Sequence, residues 1–102
     1  MSTFVLAPDA EEDLFQIWSY LFQKAGLELA DRIQGELFDA FSTVATAPGL
    51  GHSRTDLTTA PVLFFPVYQY MIVYRAKTPL EIVRVLHGKR DVKRILKDSG
   101  VK

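Results

Sequence analysis

The segment from His87 to Asp91 contains residue types that could do chemistry on a phosphate ester. A predicted strand ends at His87, Gly88 permits a sharp turn, and Lys89 and Arg90 precede Asp91, a residue type that favours helix N-caps. A histidine can act as a general base and neighbouring cations can stabilise phosphate charge, so RNA cleavage by His87 and Arg90 is one hypothesis. The alternative is a structural turn in which His87 is hydrogen-bonded and the cations are solvated. The sequence leaves both open.

Other catalytic signatures are missing from the sequence. The chain has no cysteine and only two histidines, His52 and His87, so a zinc site would need carboxylates at an unrecognisable spacing. There is no Gly-x-Ser-x-Gly elbow and no Walker-type loop, and residues 49–51 indicate a plain turn rather than a phosphate loop. The acidic run 11–13 fits the positive end of a helix dipole better than an acid–base pair. We therefore expect neither a metal nor a cofactor.

Aromatic residues recur in the predicted strand region. By period-two counting, Tyr68, Tyr70 and Tyr74 share one strand face with Ile72. One interpretation is a platform on which nucleic-acid bases stack. The other is a semi-buried aromatic face, which we favour because Phe64 continues the same row. Direct binding of nucleic acid is therefore not expected.

Hydrophobic periodicity predicts two helices in the first half of the chain. Pro8 suits the first position of a helix that Gly26 ends. A second helix is predicted over 27–47, where Pro48 stops it, and the short join forces the two helices to turn back on each other. Gly35, in the middle of the second helix, is expected to mark a close packing contact. The residues predicted to be buried beneath this hairpin are Trp18, Ile33, Leu37 and Phe41.

Strand composition precedes and follows the helices. Residues 3–6 suit an edge strand, aromatic and β-branched residues dominate 62–75, and a further strand is predicted over 81–87. Asp91 can cap a short last helix. The order β-α-α-β-β-β-α predicts an α+β domain over residues 1–102, in which the helical hairpin packs on a small antiparallel sheet.

The neutral net charge of the chain hides a division between its halves. Residues 1–50 contain two basic and eight acidic side chains, whereas residues 51–102 contain ten basic and four acidic ones. The halves could simply neutralise each other, or the basic residues, which are bunched towards the C-terminus, could form one cationic surface. The N-terminus lacks a basic stretch followed by an apolar run, so no signal peptide is expected, and the longest apolar stretch, 61–74, is too short to span a membrane. We expect a cytoplasmic protein that does not bind membranes.

Four segments, in order and at matching spacing, resemble the ParE/RelE superfamily of toxins from toxin–antitoxin and plasmid-stabilisation systems. They are Leu6-Ala7-Pro8-Asp9-Ala10 with Asp13, Leu14, Ile17 and Tyr20; Pro48-Gly49-Leu50-Gly51 with Arg54, Asp56 and Leu57; Pro66-Val67 with Tyr70, Ile72 and Val73-Tyr74-Arg75; and Ile82-Val83-Arg84-Val85-Leu86-His87-Gly88-Lys89-Arg90-Asp91. The chain departs from ParE-like sequences at Ala7, where Ser or Thr is common, near Leu63, where arginine is common, and at Tyr68, where glycine is common.

The superfamily that this chain resembles includes members with two different activities. RelE-like members cut mRNA on the ribosome with scattered Lys and Arg residues and, in some, a C-terminal tyrosine; here only Arg90 coincides with such a residue. The other basic positions fall on Val62, Phe64 and Met71, and the tyrosine is missing. ParE-like members, which this chain resembles better, inhibit DNA gyrase without catalysis of their own. The rivals are a ribosome-dependent endoribonuclease with His87, Lys89 and Arg90 as its remnant site, and a degenerate toxin that only binds an antitoxin.

The family resemblance implies a cognate, ParD-like antitoxin that forms a hetero-oligomer with this chain. From the residues, we expect the aromatic sheet face to be bare and to receive a disordered, acidic antitoxin tail. A cationic rim would speed its capture. The residues predicted to contact the antitoxin or the target are Tyr70, Arg75, Lys89, Arg90, Lys93, Arg94 and Lys97.

Overall fold

A computed structural model describes residues 3–101 and has the predicted order of elements. Strand β1 (Phe4–Leu6) is followed by helices α1 (Pro8–Ala25) and α2 (Leu27–Thr46), a 3₁₀ turn (Pro48–Leu50), strands β2 (Leu63–Val67), β3 (Tyr70–Arg75) and β4 (Leu80–His87), and helix α3 (Val92–Asp98). The predicted α+β class, a helical hairpin on a small sheet with a short C-terminal helix, is confirmed. Neither of the long helices in this part of the chain is apolar enough to cross a membrane.

Two residues determine where the helical hairpin begins and turns. Pro8 occupies the first turn of α1, and Ala7 provides no side-chain cap, as expected from the sequence. Gly26 ends α1 with a φ of 95° and serves directly as the residue before α2. Because this backbone conformation is open to glycine at little cost, one residue suffices to reverse the chain.

The sheet has the order β1-β4-β3-β2. Strands β2, β3 and β4 pair antiparallel, as predicted, whereas the edge strand β1 pairs parallel to β4. Parallel pairing requires a long connection, and here the helical hairpin and the β2–β3 pair lie between the two strands in sequence. The register slips between Val73 and Tyr74, which pair with Arg84 and Ile82, so Val83 is an extra residue in β4.

Both faces of the sheet are covered by the chain itself. Tyr70, Ile72 and Tyr74 are buried beneath the hairpin in a cluster with Leu37 and Phe41. A second cluster fills the opposite face beneath α3 and consists of Val62, Phe64, Val73, Val83, Leu86, Val92 and Leu96. The expectation of a bare aromatic sheet face is therefore wrong.

The predicted aromatic row is also divided between the two faces. Strands β2 and β3 are joined by the two-residue turn Tyr68–Gln69, so Val67 pairs with Tyr70 and Phe64 pairs with Val73. Period-two counting fails across such a turn, because residues that pair directly share a face. Phe64 consequently lies on the α3 side, and Tyr68 lies in the turn with its side chain exposed.

The predicted core is correct at two of its four positions. Leu37 and Phe41 are fully buried, whereas Ile33 and Trp18 are only partly buried. The Trp18 indole Nε1 donates to Asp31 Oδ1 at 2.9 Å, and its ring stacks on Phe22 at a centroid distance of 5.1 Å. Trp18 therefore joins α1 to α2 rather than anchoring the hairpin to the sheet. A Cβ added at Gly35 would meet no atom from other parts of the described chain within 4 Å, so the expected packing contact is absent there.

Candidate partner-binding site

An ion pair fixes helix α1 against strand β4. The three residues of β1 pair only with Leu80–Ile82, so the second half of β4 has no neighbouring strand on that side. The carboxylate of Asp13 accepts the backbone N–H of Val85 there at 3.0 Å and two hydrogen bonds from Arg84 at 2.7 Å. Arg84 also donates to the Ser99 hydroxyl at the end of α3. The hydrogen bonds to Asp13 raise the pKa of Arg84. The sequence interpretation of Asp13 as a dipole-complementing residue missed this pair.

This attachment of α1 leaves an open groove between the helix and the ends of β3 and β4. Its volume is about 520 Å³. Helix α1 supplies one wall. The β2–β3 turn, the ends of β3 and β4 and the segment after β4 supply the rest. The lining residues are Gln16, Ile17, Tyr20, Leu21, Gln69, Tyr70, His87 and Arg90. Three residues singled out from the sequence, Tyr70, His87 and Arg90, thus meet at one site.

The floor of the groove is aromatic. Tyr70 pairs with His87 across β3 and β4, and their rings meet edge to face at a centroid distance of 5.6 Å. Only 5% of Tyr70 is exposed, and burial, with a smaller contribution from Tyr20, raises the pKa of its phenol. The phenol therefore stays neutral at physiological pH. Tyr70 therefore contributes a mostly covered, uncharged ring to the groove lining.

Of the two hypotheses for this segment, the hydrogen bonds of His87 support the structural turn. Its Nδ1 accepts the backbone N–H of Lys89 at 3.1 Å, and its carbonyl accepts the backbone N–H of Arg90 at 3.0 Å. This bond engages the lone pair of Nδ1. Within residues 3–101, no carboxylate is hydrogen-bonded to His87. Asp91, four residues after His87, caps α3 by accepting the Arg94 N–H, as predicted.

The predicted cations do not form one rim around this groove. Arg90 lines it, whereas Arg75 lies at the far end of β3, where its Nε is 3.4 Å from Glu81. Lys93 and Lys97 of α3 line a separate shallow cavity of about 360 Å³ with Thr55 and residues 57–59. Arg94 pairs with Asp98 at 3.6 Å, and both side chains are largely exposed to solvent. Lys89 is exposed in the turn that follows β4, directly before Arg90.

The chain offers no recognisable metal centre within the described residues. No three His, Asp or Glu side chains between residues 3 and 101 converge closely enough to hold an ion. The glycine-containing segment after α2 is a structural turn. Tyr74 donates to the carbonyl of Pro48 at 2.5 Å, and the Gly51 N–H donates to the same hydroxyl at 2.9 Å. This turn carries the Pro-Gly-Leu-Gly segment of the sequence resemblance, and Tyr74 is its anchor.

Sequence reasoning missed one exposed feature of the hairpin. Phe15 and Phe22 of α1 are 61% and 46% exposed, and Leu27 at the start of α2 is 54% exposed. The available signal was that α1 has apolar residues outside the stripe that faces the sheet. A helix packed on one side only needs a single stripe.

Comparisons with known proteins extend over most of the chain. Residues 4–92 match a family model described as the ParE toxin of the type II toxin–antitoxin system parDE. The chain is 32% identical to the toxin ParE1 of Caulobacter vibrioides over 87 residues, which are 85% of this chain and 90% of that protein. It is 27% identical to the toxin ParE1 of Mycobacterium tuberculosis over 103 aligned positions, covering 93% of this chain and 98% of that one.

A solved structure shares the fold. The chain superimposes on a protein of the chromosomal ParDE toxin–antitoxin system of P. aeruginosa with a TM-score of 0.72, covering 85% of this chain and 96% of the other. At 17% sequence identity, this similarity concerns the fold alone.

Proposed function

The chain belongs to the ParE toxin family of type II toxin–antitoxin systems, and from that premise we propose that it inhibits DNA gyrase in the cytoplasm and is neutralised by a cognate, ParD-like antitoxin. The observation that carries the proposal is the continuous family match over residues 4–92, which includes the hairpin, the sheet and the start of α3. The hydrogen bonds of His87 favour inhibition by binding over catalysis, because its Nδ1 is engaged by the turn.

The charges after β4 support an acidic antitoxin segment. Among the described residues, Lys89, Arg90, Lys93 and Lys97 form no salt bridge, although they fall within nine positions of one another. Cationic side chains at this density attract an acidic chain and speed its association. The adjoining groove, with Tyr20 and Tyr70 in its lining, provides apolar surface for the same segment. We place the antitoxin tail over the groove and the exposed side of α3, in place of the sheet face expected from the sequence.

The target is tested with purified components. Supercoiling by gyrase holoenzyme is measured against increasing concentrations of this chain, with and without the polypeptide encoded beside its gene. Inhibition that the neighbouring polypeptide reverses is the expected result. Arrest of translation with unaffected supercoiling would overturn the choice of target. Binding of the antitoxin without inhibition of any target would identify a degenerate toxin.

The antitoxin surface is tested by reversing the charges of α3. A variant with Lys93→Glu, Arg94→Glu and Lys97→Glu should associate with the antitoxin more than about tenfold more slowly at low salt, and the difference should shrink at high salt. The matched control reverses Lys24, Arg32 and Lys77, which changes the net charge equally but lies on other elements. Equal association rates for both variants would rule out the proposed surface.

A further inference from the structure

The outer side of the helical hairpin carries an apolar stripe that does not face the sheet. Phe15, Trp18 and Phe22 follow one another at helical spacing, so they share one side of α1. The two phenylalanines are about half exposed or more, and Trp18 bridges them through its stack on Phe22. The stripe that faces the sheet instead contains Ala10, Leu14 and Ile17. Contiguous exposed apolar surface of this kind marks an interaction site.

Helix α2 extends the stripe into a surface. Asp31 accepts the Trp18 hydrogen bond, and Leu27 and Phe38, one turn before and two turns after Asp31, are also exposed. A cavity of about 330 Å³ opens between the helices and Leu6, with Phe15, Trp18 and Gln34 in its lining. The Gln34 Oε1 is buried and has no hydrogen-bond partner among the described residues. The empty space beside Gly35 permits close approach to the same side of α2.

This surface is acidic. The two helices contain eight acidic and two basic side chains, and of the acidic ones only Asp13 is buried in a salt bridge with a basic residue. Glu11 adjoins Phe15 in the cavity lining, and Glu28 lies one turn before Asp31 on α2. We call the surface formed by Glu11, Phe15, Trp18, Phe22, Leu27, Glu28, Asp31 and Phe38 the acidic hairpin face. Its charge is opposite to that of α3, which covers the other side of the sheet.

We propose that the acidic hairpin face binds the target, at a cationic surface with which the target enzyme holds DNA phosphates, and that the antitoxin binds elsewhere. The inference rests on the proposed function, in which the target is gyrase. An enzyme that handles DNA must present clustered Lys and Arg residues to the phosphates. An acidic face with exposed aromatic rings complements such a surface in charge, and the rings supply the anchors that dominate protein interfaces. The acidic antitoxin segment is repelled by this face and attracted by α3.

The experiment compares two functions of the same variants. Phe15→Ser with Phe22→Ser removes exposed apolar surface, and Glu11→Gln with Glu28→Gln removes charge; neither touches the buried cores. The α3 charge-reversal variant is the matched control. Circular dichroism and thermal melting establish that every variant is folded. Each is then assayed for inhibition of gyrase holoenzyme and for association with the antitoxin.

Both hairpin variants should require at least about tenfold more protein for half-inhibition, because one loses aromatic anchors and the other loses complementary charge, and should bind the antitoxin as the unmodified chain does. The control should show the opposite pattern. Hairpin variants that inhibit gyrase normally, or that lose antitoxin binding instead, would overturn the inference while leaving the proposed function intact. An unmodified chain that does not inhibit gyrase would refute the proposed function, and this inference with it.

Discussion

Asp13 and Arg84, separated by 71 positions in the sequence, form a two-point ion pair with N–O distances of 2.7 Å at the exposed edge of β4. Both side chains are nearly buried, at 10% and 12% exposure. Removal of one partner from a buried pair leaves an uncompensated charge and typically costs about 3–5 kcal/mol. We expect Asp13→Asn to lower the free energy of unfolding by roughly that amount, measured by urea denaturation.

The solvent-exposed pair Arg94–Asp98 is the control, and Arg94→Ala should change stability by less than about 1 kcal/mol. Similar losses for the two variants would contradict this role.

The contact between Gly51 and Tyr74 predicts a difference between two glycines of the same turn. A Cβ at Gly51 would collide with the Tyr74 phenol, whereas a Cβ at Gly49 would meet no atom within 4 Å. Gly51→Ala should therefore displace a fully buried ring and lower the free energy of unfolding by about 1–3 kcal/mol, as overpacking does. Gly49→Ala should be close to neutral. Thermal melts of both variants provide the comparison, and equal melting temperatures would exclude the contact in solution.

The β2–β3 turn places a tyrosine in a glycine conformation. Tyr68 has a φ of 55°, which residues with a Cβ rarely adopt, and its hydroxyl donates to Glu36 at 2.8 Å. Glycine, the residue expected at this position from the ParE-like resemblance, adopts this conformation without strain. To separate backbone from side chain, we compare Tyr68→Gly with Tyr68→Ala. The glycine variant should be more stable by about 1 kcal/mol. An alanine variant that is equally stable would show that the turn changes conformation.

Two buried phenols predict a loss of stability at alkaline pH. Burial raises the pKa of Tyr70 and of Tyr74 above the ordinary value. The folded state thus keeps these protons at a pH at which the unfolded chain, with a tyrosine pKa of about 10, has released them. Their contribution to stability is therefore complete below about pH 10 and is lost as the pH rises further. Melting temperatures between pH 8 and 11 should fall less steeply for Tyr74→Phe than for the unmodified chain; parallel curves would argue against this contribution.

Catalysis is tested independently of binding. We expect no mRNA cleavage by this chain, even with translating ribosomes, because the family's basic positions are occupied by Val62, Phe64 and Met71. Val62 and Phe64 are moreover buried beneath α3. Toeprinting of ribosome complexes detects cleavage in the ribosomal A site. Cuts that disappear in Arg90→Ala would establish the endoribonuclease alternative and identify the groove with His87 as its site.

Local rules in the sequence determined the elements and their order. Pro8 and Pro48 act through a restricted φ and a missing hydrogen-bond donor, Gly26 acts through its access to a positive φ, and Asp91 caps α3 with its own side chain. These effects reach only a few residues, so the helix boundaries and the α+β class follow from the sequence. The buried residues Leu37 and Phe41 were predictable for the same reason, since helical periodicity alone indicates one face.

Tertiary structure alone decided which face each strand residue occupies and which residues meet. The two-residue turn at Tyr68 puts Phe64 and Tyr70 on opposite faces, and the extra residue Val83 shifts the alternation in β4. Period-two counting cannot anticipate either, because register depends on turn geometry and on bulges. The same register brings Tyr70 to His87, and the free edge of β4 brings Asp13 to Val85. Contacts over such separations depend on how whole elements pack, and no local pattern encodes them.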